Sequence, residues 1–374
     1  MTPPVIASGQ GASGPLTVRS VDATLVLVPM RRALGTSATR ITEAPLLLID
    51  LRTEEGITGR AYLFCYRESA GHAAVALMRD VSALLAGTVV SPAAFRQATE
   101  ARFKLLGVRG LVSAVLAGVD VAGWDALAIA AGLPLARFVG ATPRPVAAYN
   151  SNGLGLVEPE AAAEEAQQLV AEGFRAVKMR LGRPSPHEDL AAVRAVRAAI
   201  ASDVELMADY NQALGLATAW ERCGQLDDEG LSWIEEPVRH DDYAASARLA
   251  AALRTPVQIG ENFAGPRAMS LALEHGASDL VMPDLERIRG VSGWLGAATL
   301  ADVAGIAMSS HLYPEVSAHL LVATPTAHWL EYVDWANPIL QEPLRIVDGH
   351  ATPTDRPGNG LAWDTDAVAR YRVG

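Results

Sequence analysis

Residues 204–261 read VELMADYNQALGLATAWERCGQLDDEGLSWIEEPVRHDDYAASARLAAALRTPVQIGE. Three short apolar runs, ELMAD, LSWIE and VQIGE, each close on a carboxylate: Asp209, Glu235 and Glu261. The acids stand 26 and 26 residues apart. A strand and its returning helix occupy that kind of length, and the stretches between are helical in pattern. Three successive parallel strands therefore present one acid each at a common level, the C-terminal mouth of a barrel. The same grammar extends outward. Short apolar runs occur at 145–150, 176–180, 280–284, 307–311 and 327–331, with helical patterns between them. Eight strands and about seven intervening helices predict a (β/α)7β barrel of TIM type over residues 143–345.

The rest of the chain reads differently. Residues 16–63 carry strand-like runs around RRALGTSATRITE, a polar, small-residue stretch at 31–43 expected as a loop. Residues 70–140 are Ala- and Leu-rich at helical spacing, so 16–142 reads as an α+β segment. Residues 1–15 are rich in Pro, Gly and Ser and are expected to form a disordered leader. There Gly9, Gly11 and Gly14 match G-x-G-x-x-G by accident, with no strand before and no helix after. The leader also lacks the basic start and apolar run of a signal peptide. The most apolar stretch, 111–139, is interrupted by Asp120 and Asp125 and reads as a buried helix rather than a membrane span. Residues 346–374 run past the barrel and are expected to return to the N-terminal segment.

Composition narrows the function. With 50% apolar and 20% charged residues the chain is a globular protein. A net charge of −11 disfavours nucleic acid and membrane surfaces as partners but leaves a small anionic substrate open. Cys65 and Cys223 fit neither a disulfide framework nor a thiolate metal site, which points to a reducing, cytoplasmic compartment.

Three converging carboxylates repel one another, and a hard divalent cation removes the conflict. An all-oxygen ligand set favours Mg²⁺, with Mn²⁺ as the alternative. Asp284 follows Glu261 by 23 residues, His311 follows Asp284 by 27, and Glu331 lies 20 further on. Adjacent strands can set Asp284 against one nitrogen of His311, leaving the other for proton transfer. Lys178 and Arg180, two apart on one strand, share a face. They are expected to point inward and oppose the acids.

These motifs resemble the mandelate racemase subgroup of the enolase superfamily. The resemblance rests on ADYNQ at 208–212, WIEEP at 233–237, GEN at 260–262, MPD at 282–284, MSSHL at 308–312 and ATPTAHWLE at 323–331. AGVDVAGWDAL at 117–127 is similar to the helix that links the two parts of such proteins. The resemblance implies an α+β capping domain with lid loops over a modified TIM-type barrel. It implies Asp209, Glu235 and Glu261 as Mg²⁺ ligands and His311 with Asp284 as an acid/base pair. It makes Glu331 a hydrogen-bond donor to a substrate carboxylate and Lys178 a cation beside it, with Ser151 and Asn211 as further polar contacts. Leu34, Ile41, Phe64 and Tyr66 fall where lids line the substrate pocket, which suits an apolar group. A homo-oligomer, an octamer being one form, is implied as well.

The implied activity is removal of the proton α to a carboxylate through a metal-stabilised enediolate, as in a racemase or epimerase of a 2-hydroxy acid. One departure opens an alternative. The family's second-strand K-x-K is here Lys178-Met179-Arg180, and an arginine normally stays charged. Asn152 in place of a histidine and Arg289 in place of a small residue suggest another substrate. A hydroxy-acid or acid-sugar dehydratase needs only His311 as base. A barrel hydrolase would need an H-x-H pair that AYNSN at 148–152 lacks, and a non-enzymatic descendant would have lost a ligand or His311.

Overall fold

The computed structural model describes residues 14–373. The N-terminal sheet is antiparallel, in the order β1 (Val18–Gly35), β2 (Arg40–Thr53), β3 (Thr58–Phe64). Its central strand is buried from Ala44 to Ile49. Helices α1 (Glu68–Leu85) and α3 (Gly110–Ala130) cover it, and between them in sequence α2 (Pro92–Phe103) packs on both helices. α3 is apolar enough to cross a membrane, but 72% of its apolar window is buried against β2, β3, α1, α2 and the barrel helix Gly290–Ala304. Its two acids are used. Asp125 Oδ2 accepts from the Arg60 amide (2.7 Å), and Asp120 Oδ1 from the Ser292 amide (2.9 Å) at the start of that barrel helix. The leader's first thirteen residues, Gly9 and Gly11 included, lie outside the described residues.

Eight parallel strands follow: β4 (Val146–Asn150), β5 (Ala176–Arg180), β6 (Glu205–Asp209), β7 (Ile234–Glu235), β8 (Val257–Ile259), β9 (Leu280–Val281), β10 (Ala307–Met308) and β11 (Leu330–Tyr332). Each pairs with the next from β4 to β10, and β11 returns to β4. A parallel bridge from Met308 to Ala327 closes the last gap. Seven helices intervene, four of them opening on proline (Pro159, Pro186, Pro266, Pro314), which suits the first helical position. The chain is therefore a (β/α)7β barrel of TIM type with an α+β cap. Inside the barrel Tyr149 and Trp233 meet edge to face at 5.5 Å, a floor beneath the acids. The hairpin β12 (Ile346–Val347) and β13 (His350–Ala351) adds to the start of β4. The last helix, Thr365–Tyr371, packs on β1, where the Val373 amide donates to Leu25 O.

Two expectations change. The loop expected at 31–43 is mostly strand: β1 runs to Gly35 and β2 starts at Arg40, leaving a turn in which the Thr36 amide donates to Thr39 O. Arg31 and Arg32 make this hairpin polar because both pair with Glu172 on the barrel. The later barrel strands are also shorter than their apolar runs. Glu261, Asp284 and His311 sit just past the ladder, where the strands splay, although Asp284 and His311 still form a parallel bridge.

The cap closes on itself at Gly59. A Cβ there would lie 2.0 Å from Ala122 O and 2.7 Å from the Ala126 amide of α3. Gly59→Ala should lower stability to urea by about 1–3 kcal/mol through overpacking. Gly224, exposed on the barrel helix Leu216–Leu226 with open space around it, should instead gain about 0.5–1 kcal/mol on change to alanine.

Candidate active site

Asp209 and Glu235 are the last residues of β6 and β7, and Glu261 lies two past β8. The turn into Glu261 needs Gly260, whose φ is +135° and whose absent Cβ would sit 2.7 Å from the Phe263 ring. One carboxylate oxygen from each acid lies within 4.8 Å of the others. Their other contacts fix them. The Asn211 amide and side chain both donate to Asp209 (2.7 and 2.9 Å), and Trp233 Nε1 donates to Glu235 Oε2 (3.3 Å). Asn262 Nδ2 and Arg287 Nη1 donate to Glu261 Oε1 (2.9 and 3.1 Å).

Lys178 enters from β5 and is fully buried. Its Nζ lies 2.8 Å from Glu235, 2.9 Å from Glu331 and 3.3 Å from Asp209. One ammonium does not neutralise this cluster: burial and the nearby Asp209 raise Glu235 to about 8. The donor set is all carboxylate, rigidly held, converging and short of positive charge, and it fits a hard divalent cation.

His311 stands beside the cluster. Its Nδ1 lies 2.7 Å from Asp284 Oδ2 and its Nε2 3.1 Å from Glu261 Oε2. Asp284 is itself fixed by the amides of Glu286 and Arg287 (2.8 and 2.9 Å). Burial would lower the imidazole, but Glu261, Glu331 and Asp284 raise it well above its usual range. The expected pair is thus assembled, with Nε2 directed at the acids.

Arg180 departs from expectation. It is buried but makes no ion pair among the described residues. Its Nη1 donates to Ser151 O (2.7 Å) and Gly153 O (2.9 Å), and its Nη2 to Ser151 Oγ (2.9 Å). The end of β5 places the guanidinium beside the loop after β4, whose turned-in carbonyls need donors. Ser151 is therefore engaged by Arg180. Glu331 is an acceptor here, bonded to Lys178 and to the Leu312 amide (2.8 Å); although burial opposes it, Lys178 and His311 hold it at about 2. Arg289 points away from the site and pairs with Glu100 of α2 (2.9 Å). Asn152 Nδ2 donates to Asn150 (3.0 Å).

The cap residues divide. Leu34 and Ile41 pair across the hairpin next to its turn. That turn touches the barrel: a Cβ on Gly155 would lie 2.9 Å from Gly35 O, and one on Gly182 would lie 3.4 Å from Ser37. Phe64 is buried between Tyr66 (4.4 Å) and Trp335 (4.7 Å). Tyr66 adopts φ +58°, and its hydroxyl accepts from Arg287 Nη2 (2.8 Å).

Sequence reasoning assigned no role to Arg287, Glu236, Asn262 or Trp233. Three of them stood inside the quoted WIEEP and GEN motifs, so position was the available signal. Arg287 carried none.

Comparison with known proteins agrees with this geometry. The enolase C-terminal domain-like family matches residues 161–367, and the mandelate racemase/muconate lactonizing enzyme N-terminal domain matches 17–140. The chain belongs to the enolase superfamily. Superfamily membership makes it an enzyme, an isomerase or a lyase. It is 31% identical over 334 residues to an L-talarate/galactarate dehydratase of Salmonella typhimurium, covering 87% of this chain and 82% of that one. An enolase from alpha pretobacterium bal199, crystallised with Mg, is 48% identical with a TM-score of 0.94, over 96% of this chain and all (100%) of that one. A Bradyrhizobium enolase complexed with magnesium and mandelic acid is 41% identical with a TM-score of 0.92, over 97% and 100%. Such relatives place the chain in the superfamily without singling out mandelate racemase, since curated relatives include acid-sugar dehydratases.

Removing the buried ammonium tests the charge balance. In protein stripped of metal with EDTA, Lys178→Met leaves Asp209, Glu235 and Glu331 uncompensated and should cost about 3–5 kcal/mol in urea unfolding. Added Mg²⁺ should recover part of that loss.

Proposed function

We propose that this enzyme, with Mg²⁺ bound, removes the proton α to the carboxylate of a hydroxy acid on one face only, using His311 as its single acid/base group, and goes on to expel a β-hydroxyl as water. The observation that carries this reading is the engagement of Arg180. A second base on the opposite face would have to release and accept protons. Arg180 is an arginine with both terminal nitrogens committed to loop acceptors.

Asp209, Glu235 and Glu261 would hold the cation, which would supply positive charge to a substrate carboxylate and to the charge that grows on its oxygens. Lys178 adds a second cation beside the same group. Asp284 orients His311 through Nδ1, and it is the form of His311 unprotonated at Nε2 that takes the α-proton there. His311 then returns that proton to the departing β-hydroxyl, and the resulting enol tautomerises to a 2-keto acid. Glu331 anchors the turn after β10 through Leu312 and keeps Lys178 oriented. The hairpin around Leu34 and Ile41 shields the mouth from water.

The second reading is a racemase or epimerase of a mandelate-like 2-hydroxy acid. It is favoured by the mandelic acid bound to the Bradyrhizobium relative and by the apolar Leu34, Ile41 and Phe64. It requires proton exchange at Arg180.

The two separate in D₂O. With Mg²⁺, protein incubated with galactarate should release a 2-keto acid, and (R)- and (S)-mandelate should differ, one exchanging its α-proton with retention and the other inert. EDTA should abolish these reactions, and His311→Asn should slow them by about 10²–10⁴-fold. Inversion of both mandelate enantiomers would overturn the one-base reading in favour of the second.

A further inference from the structure

Arg287 lies in the turn after β9, outside the ligand set and outside the His311–Asp284 pair. Its guanidinium joins three separate parts of the molecule. Nη1 donates to Glu261 Oε1 (3.1 Å) and to Asn262 Oδ1 (2.7 Å) on the barrel. Nη2 donates to the Tyr66 hydroxyl (2.8 Å), and the guanidinium carbon stands 5.5 Å from the centre of the Tyr66 ring. Tyr66 belongs to the cap, just after β3, and reaches this position through a left-handed backbone that non-glycine residues adopt at a cost.

The contacts form a relay. With its Oδ1 occupied by Arg287, the Asn262 amide must turn its Nδ2 toward carboxylates, and it donates to Glu261 Oε1 (2.9 Å) and Glu236 Oε2 (2.8 Å). Moving the guanidinium would release Glu261, Asn262 and Glu236 together. What holds the guanidinium from the far side is the Tyr66 hydroxyl. We propose that Arg287 is a positioning residue that couples the seating of the cap at Tyr66 to the orientation of Glu261, so that a cap residue touching no ligand carboxylate sets the affinity of the cation site. The inference rests on the cation site proposed above. Coupling of this kind is reciprocal: cation binding also tightens the cap on the barrel. A lysine would not replace Arg287, because a point charge cannot serve Glu261, Asn262 and Tyr66 at once.

Direct Mn²⁺ binding to the full-length, metal-stripped protein, followed by the electron spin resonance signal of free Mn²⁺, tests this without recourse to turnover. Tyr66→Phe keeps the ring and removes only the hydroxyl. Its Kd for Mn²⁺ should rise about tenfold, the low end of what outer partners of metal ligands contribute, while the metal-free protein, less one hydrogen bond, still unfolds in a single cooperative urea transition. Arg287→Met should weaken binding at least as much, and adding Tyr66→Phe to it should change nothing further, since the hydroxyl acts only through the guanidinium. Should Arg287→Met fail to fold, Arg287→Lys takes its place with the same expectation. Wild-type affinity in Tyr66→Phe, or additive effects in the double variant, would overturn the coupling. A wild-type protein that binds Mn²⁺ no better than Glu235→Gln would instead remove the cation site, and the coupling with it.

Discussion

The mouth of this barrel is organised by a shortage of positive charge. Asp209, Glu235, Glu261 and Glu331 converge where strands end, and Lys178 alone reaches three of them. A buried carboxylate without a partner is costly, and donors from several elements turn toward these acids. Trp233 rises from the barrel floor to Glu235, Asn211 wraps Asp209, and Arg287 and His311 crowd Glu261. The same demand that rigidifies these acids prepares them for a divalent cation. Stability and chemistry are here two aspects of one electrostatic problem.

The cap answers a different requirement. An open barrel mouth would leave these charges in water, where their fields are weak. The hairpin of β1 and β2 and the segment after β3 cover it, and the apolar α3 holds both to the barrel. α3 can lie close to β3 because Gly59 has no side chain. Its middle is fixed to the barrel where Asp120 accepts from the Ser292 amide at the start of the helix Gly290–Ala304. Its two acids, which break the apolar run in the sequence, are therefore the points where an otherwise oily helix is fixed in register.

Much of this was legible in the sequence because repeat length is legible. Acids spaced by one strand-helix unit had to share a level, and Asp284 and His311, one unit apart again, had to be neighbours. Periodicity also placed Lys178 and Arg180 on the same face, and both are indeed buried. It could not say where a long side chain ends. Arg180 stops at loop carbonyls one strand away, Arg289 turns to Glu100 of the cap, and Arg287 reaches back more than two hundred residues in sequence to Tyr66. None of these contacts leaves a periodic trace. The 31–43 stretch misled for a related reason: its polar residues looked like a loop, yet Arg31 and Arg32 are strand residues whose partner, Glu172, lies on the barrel.

The docking of the last helix on the first strand has a consequence in time. The edge of β1 at Leu25 and Val26 is covered by Arg372 and Val373, at the far end of the described chain. During synthesis β1 emerges before the barrel and waits with that edge open until the barrel has been made. An open strand edge is a template for pairing with other chains. Contacts this distant in sequence are slow to form. The fold thus leaves this stretch of β1 open until a segment about 350 residues later in sequence has been made to cover it.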